Sequence, residues 1–84
     1  MNRITTRLKQ PHETGGYDEI REYPDGRRCY LLGGQFHRLD GPAFIGSDGH
    51  TVWHYMGKEH REDGPAIEYP DGTSEYWVHG VKRD

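Results

Sequence analysis

A repeat of 23 residues constrains this chain more than any other feature, because self-similarity at a fixed period calls for a stack of like units. Asp-Gly falls at Asp25-Gly26, Asp48-Gly49 and Asp71-Gly72, and the same offset links Gly34, Gly57 and Gly80. It also links His37-Arg38 to His60-Arg61, and Asp40-Gly41-Pro42-Ala43 to Asp63-Gly64-Pro65-Ala66. Tyr30, Trp53 and Tyr76 keep an aromatic ring at one phase of the cycle. The first copy is Asp25–Ser47 and the second Asp48–Pro70, while the third, Asp71–Asp84, holds 14 residues. Tyr17–Pro24 leads into the first copy, and Met1–Gly16 fits no part of the repeat. The expected organisation is one domain: an N-terminal arm over 1–16 and a repeat region over 17–84.

Turn chemistry assigns the secondary structure. Tyr-Pro-Asp-Gly, at Tyr23–Gly26 and Tyr69–Gly72, puts proline where φ near −65° is wanted and glycine where φ is positive. That suits a type I turn with a bulge, and Gly46-Ser47-Asp48-Gly49 is its degenerate form. Short aromatic runs follow each turn: Arg28–Gly33, Thr51–Met56 and Ser74–His79. Each meets a glycine, where a hairpin reversal with positive φ is expected. The two full copies then add a charged link and a second apolar run, Ala43–Ile45 and Ala66–Tyr69. Two strands per copy predict an all-β fold, a single twisted antiparallel meander of about six strands built from 23-residue hairpin repeats. Only Met1–Gln10 has helical spacing, through Ile4 and Leu8.

Strand alternation sorts the side chains onto two faces. Tyr30, Leu32, Trp53, Tyr55, Tyr76 and Val78 form the face expected to be the core. Cys29, Leu31, Val52, His54, Met56, Glu75, Trp77 and His79 form a mixed face expected to meet solvent or a partner. With apolar residues at 31% and charged residues at 30%, the chain has little to bury. Ten aromatic residues and a net charge of only −3 nevertheless argue against disorder. One cysteine, Cys29, leaves no internal disulfide and agrees with a reducing cytoplasm, and no run is long or apolar enough for a membrane span.

The residues Gly34-Gln35-Phe36-His37, Gly57-Lys58-Glu59-His60 and Trp77-Val78-His79-Gly80 resemble MORN-type repeats. The chain is closer still to the variant carrying His-Arg-x-Asp-Gly-Pro-Ala, here His37–Ala43 and His60–Ala66, seen in phage, bacterial and giant-virus proteins. It departs from standard MORN where Arg38 and Arg61 follow the histidines. The resemblance implies a twisted sheet of hairpins and a role in binding rather than catalysis. It also implies a phage or mobile-element accessory protein that binds and modulates or inhibits a host protein, as a host-defence inhibitor does.

No constellation calls for chemistry. His37/Asp40 and His60/Asp63 offer only a pair of ligands each, so the aspartates are read as capping their own turns and the histidines as bracing the link. His50, His54 and Asp48 are a weak metal signal. Cys29 sits at a strand position without a base beside it. No catalytic residue, metal or cofactor is expected. The expected function is therefore a non-enzymatic protein–protein interaction module, presenting Leu31, His54, Met56 and Trp77 together with Trp53, Tyr55 and Tyr76. Nucleic acid is not the expected partner, although single-stranded nucleic acid on the sheet aromatics and the basic N-terminus is the alternative. Because the third copy stops soon after Gly80, its second strand is expected to be missing. That would leave the edge of Ser74–His79 open for a homodimer, or for the arm around Ile4–Leu8 to cover.

Overall fold

The computed structural model describes residues 3–83; Met1, Asn2 and Asp84, which belong to the arm and the third copy, lie outside the described residues. Eleven short strands make up the fold: β1 (Thr5–Leu8), β2 (Glu19–Glu22), β3 (Arg28–Leu32), β4 (Gln35–Phe36), β5 (Phe44–Ile45), β6 (Thr51–Val52), β7 (His54–Tyr55), β8 (Lys58–Glu59), β9 (Ile67–Glu68), β10 (Ser74–Val78) and β11 (Val81–Arg83). Every pairing is antiparallel, and the described residues hold no helix. The main sheet runs β1-β2-β3-β5-β6-β9-β10-β11 with β4 beside β3, and β7-β8 form a second, two-stranded sheet.

The strand count exceeds the expected six for a local reason. The aromatic run of the second copy is split at Trp53, whose N–H donates to the Ala66 carbonyl (2.7 Å) and whose carbonyl accepts from the His60 N–H (3.0 Å). Tyr30 makes the same two bonds, with Ala43 and His37, inside the unbroken β3. The link thus returns to the strand it left, and adds a short segment on each side of the ring.

Both kinds of expected turn are present. Gly26, Gly49 and Gly72 each donate to the carbonyl three residues back, at 3.0 Å, and Asp25, Asp48 and Asp71 accept from the N–H two residues on. The hairpin reversals at Gly34, Gly57 and Gly80 have φ of 83°, 85° and 80°. Each is preceded by a second positive-φ residue, Gly33, Met56 or His79, giving two-residue loops with the pattern of type I′ turns.

Three expectations need correction. The arm is no helix: β1 pairs with β2, with Thr5 opposite Glu22 and Leu8 opposite Glu19. It closes the opposite end of the sheet from β10 and therefore does not cover the edge of Ser74–His79. The third hairpin does have its second strand, because β11 pairs with Tyr76, Trp77 and Val78. The premise of an open Tyr76–Val78 edge therefore fails.

The faces are the third correction. Cys29 and Leu31, at 3% exposed, and His54, at 8%, are buried, whereas Tyr55 and Tyr76 are exposed. Alternation grouped the residues of the first strands but left out what the return strands contribute. Register sets Cys29 opposite Phe44, Phe44 opposite Val52 and Val52 opposite Ile67, with Leu31 opposite Phe36. That row is apolar and closes over the mixed face. On the other face the corresponding row is Arg28, Ile45, Thr51, Glu68 and Ser74, which is mostly polar. Burial persists there around Tyr30, which packs with Tyr17, Ile20 and Ile45, its ring edge-on to Tyr17 at 4.8 Å.

Candidate functional site

The His-Arg-x-Asp-Gly-Pro-Ala link is a structural clamp built twice. Arg38 lays its guanidinium 4.0 Å from the Tyr30 ring centroid, and Arg61 lies 4.0 Å from that of Trp53. Their Nε atoms donate to Asp40 (2.9 Å) and Asp63 (3.0 Å), and their Nη1 atoms to the carbonyls of Pro42 (3.3 Å) and Pro65 (3.2 Å). Asp40 and Asp63 therefore orient the arginines. Capping their own turns, the role expected for them, falls instead to Asp25, Asp48 and Asp71. Ala43 and Ala66 have no exposed surface, because each closes against the strand that its copy wraps.

The histidines brace the next copy. His37 Nδ1 accepts from the Met56 N–H at 3.0 Å, and His60 Nδ1 from the His79 N–H at 2.9 Å. Both donors sit at positive φ in the following hairpin turn, so each imidazole satisfies a strained backbone group. Accepting at Nδ1 requires that nitrogen to be unprotonated. Burial pushes the His37 pKa below its ordinary 6.5, in keeping with that role.

Between the two clamps lies a groove of about 570 Å³, lined by both Arg-x-Asp links with Trp53, Tyr55 and His60 among its walls. Tyr55, 42% exposed, stands among imidazoles: His37 at 4.9 Å, His60 at 5.8 Å and His79 at 6.3 Å between ring centroids. His60 and His79 stack at 4.1 Å. The two guanidiniums in the groove are engaged with rings and carboxylates, whereas Glu62 and Asp63 are highly exposed, so the rim presents negative charge.

The structure separates the residues expected to bind a partner. Leu31 and His54 are buried and cannot present themselves at a surface; His54 packs on Phe36 (5.0 Å) and its Nδ1 is buried without a hydrogen-bond partner. Burial also lowers the His54 pKa, favouring the neutral ring. Trp77 is half-buried with its Nε1 donating to Glu75 (2.9 Å), and Trp53 is half-buried beneath Arg61. Met56 is exposed, but as the first residue of a turn it belongs to neither face. Tyr55 and Tyr76 remain as exposed rings. The sequence reading missed the contribution of Arg38, Arg61, Glu62 and Asp63 to a surface; the signal was the link recurring at 23 residues, taken only as a brace.

Catalytic geometry does not assemble from these groups. Cys29 is buried in β3, and burial raises its thiol pKa, which disfavours the thiolate a nucleophile needs. Among the described residues no three His, Cys, Asp or Glu side chains converge as metal ligands. No described helix is long and apolar enough to cross a membrane. Comparison with protein-family models, with curated proteins and with solved structures finds no match for this chain.

Proposed function

We propose that this chain is a non-enzymatic protein-binding module of MORN-like copies, engaging a protein partner through the groove and the rings that flank it. One observation carries the reading. Tyr55, Met56 and Tyr76 are exposed, while the equivalent first-copy ring, Tyr30, is buried under its own clamp. Tyrosine and methionine are enriched at interfaces, and a rigid sheet holds them at little entropic cost on binding. The imidazoles around Tyr55 and the carboxylates of Glu62 and Asp63 supply a polar rim.

Single-stranded nucleic acid is the less favoured partner. Of the basic N-terminus, Arg7 is held by Glu13 through two bonds of 2.7 and 3.0 Å, and the Arg7 hydrogen bond is the main cause lowering the Glu13 carboxyl to about 2. The groove rim is acidic, whereas a strand-binding groove is positive. The test is affinity purification with wild type and with Tyr55→Ser/Tyr76→Ser, both checked for native folding. A partner recovered by wild type and lost from the double variant supports the reading. Identical recoveries, or labelled oligonucleotide bound in place of protein, would overturn it.

A further inference from the structure

The three copies present the same strand edge in two filled versions and one unfilled version. Arg28 and Cys29 of β3 are paired on both sides, by Glu22 and Arg21 of β2 and by Ile45 and Phe44 of β5. Thr51 and Val52 of β6 are likewise flanked by β5 and β9. Ser74 and Glu75 of β10 pair with Glu68 and Ile67 of β9, and among the described residues no strand stands on their other side. In the first two copies that side receives Pro-Ala and the apolar residue after it. There the alanine carbonyl accepts from the Tyr30 or Trp53 N–H at 2.7 Å, and the arginine stacks on the ring.

Tyr76 has no such cover. Its ring is 51% exposed, and among the described residues no guanidinium lies over it. The third copy does not offer one at the matching place either. Arg38 and Arg61 are followed at the same phase by Asp84, an aspartate, and Arg83 takes the histidine phase. Arg83 lies across from Tyr76 as its β11 register partner.

We infer that the Ser74–Tyr76 edge is a docking site for an extended Arg-x-Asp-Gly-Pro-Ala segment of another protein. The segment adds a strand to Ser74 and Glu75 while its arginine stacks on Tyr76. The occupied copies define its chemistry. The arginine supplies the ring contact, and the proline carbonyl and aspartate hold that arginine. The alanine is small enough to close against the strand, as Ala43 and Ala66 do. An arginine that brings its own aspartate arrives as a neutral pair, which limits repulsion from Arg83. Main-chain pairing supplies affinity, and the ring and the small residue supply specificity. This deepens the binding-module reading and rests on it.

The experiment titrates the peptide acetyl-His-Arg-Glu-Asp-Gly-Pro-Ala-Ile-amide, the sequence of His60–Ile67, into the isotopically labelled full chain. Saturable amide shifts centred on Ser74, Glu75 and Tyr76 are expected. Replacing the peptide arginine with norleucine, or using the Tyr76→Leu protein, should weaken binding roughly three- to tenfold. Tyr76→Leu changes an exposed side chain, and the peptide variant tests the same contact without touching the protein. No shift at those amides at millimolar peptide, or equal binding of the norleucine peptide, overturns the inference. So does a dimer in sedimentation equilibrium that holds the same edge and that the peptide does not displace. If the peptide fails while a captured partner still depends on Tyr55 and Tyr76, the docking inference falls and the module reading stands.

Discussion

Tyr30 and Tyr76 sit at the same phase of the repeat, at its two ends, with exposures of 6% and 51%. Around Tyr30 the chain places Tyr17 edge-on, Ile20 across the strand, and Arg38 over the ring. Around Tyr76 the register supplies Arg83 and an otherwise open side. The middle copy is intermediate, with Trp53 half-buried beneath Arg61. One sequence pattern therefore yields a core residue, a half-covered residue and a surface residue. The cover comes from neighbouring segments, so the ring's own strand does not decide between core and surface.

The largest effect that can break this comparison is the loss of each ring in turn. Tyr30→Ala should cost about 3–5 kcal/mol, the usual range for emptying a buried aromatic site. Tyr76→Ala should stay within roughly 0.5 kcal/mol, as most exposed substitutions do. Urea denaturation measures both. Similar losses from the two variants would mean that Tyr76 is packed in solution, and the contrast between the ends would collapse.

An intermediate effect is expected from pH, and it sharpens the contrast between buried and open histidines. His37 and His54 are both pushed below 6.5 by burial. In acid the unfolded chain takes up protons at these sites before the native state does. Their contribution is therefore fully present above pH 6.5 and is lost as pH falls through the lower native values. For His37 there is also a geometric reason: a proton on Nδ1 would face the Met56 N–H instead of accepting from it. Unfolding free energy should be flat above about pH 7 and decline toward about pH 5, with a shallower decline for His37→Gln. An unchanged slope in that variant would show that His37 does not carry the effect.

Much of this architecture was legible in the residues, and the failures have physical causes. Asp25-Gly26, Asp48-Gly49 and Asp71-Gly72 specify their turns locally, through an aspartate acceptor and a glycine at positive φ, so no tertiary information was needed. The reversals at Gly34, Gly57 and Gly80 are equally local. Which face is buried is a question of register. Phe36, Phe44 and Ile67 lie far along the chain from the strands they cover, and alternation within one strand cannot see them. The exposed rings Tyr55 and Tyr76 were named as candidate site residues, but so were Leu31 and His54, which those distant strands bury. β1 was misread because four exposed residues carry almost no periodic signal; its pairing with β2 decides its conformation.

The smallest effect concerns the turns, where the copies differ by one residue. The first hairpin has glycine at both positive-φ positions, Gly33 at 57° and Gly34 at 83°; the second has Met56 at 50° before Gly57. A left-handed conformation costs an L-residue roughly 1–2 kcal/mol. Glycine avoids most of that but gives back about 0.5–1 kcal/mol in backbone entropy. The bond from the Met56 N–H to His37 Nδ1 survives any substitution that keeps the N–H, and the Met56 side chain is exposed, so little packing is lost. Met56→Gly should therefore raise stability by roughly 0.5–1 kcal/mol, the difference of the two terms. In a domain this size that is a rise in melting temperature of about 2–8 °C. The reciprocal change, Gly33→Met, should lower it by a similar amount. Calorimetry on the pair reads both signs. A destabilised Met56→Gly would mean that the methionine side chain is held against the sheet, and that the second turn, unlike the first, is stabilised by packing as well as by its backbone.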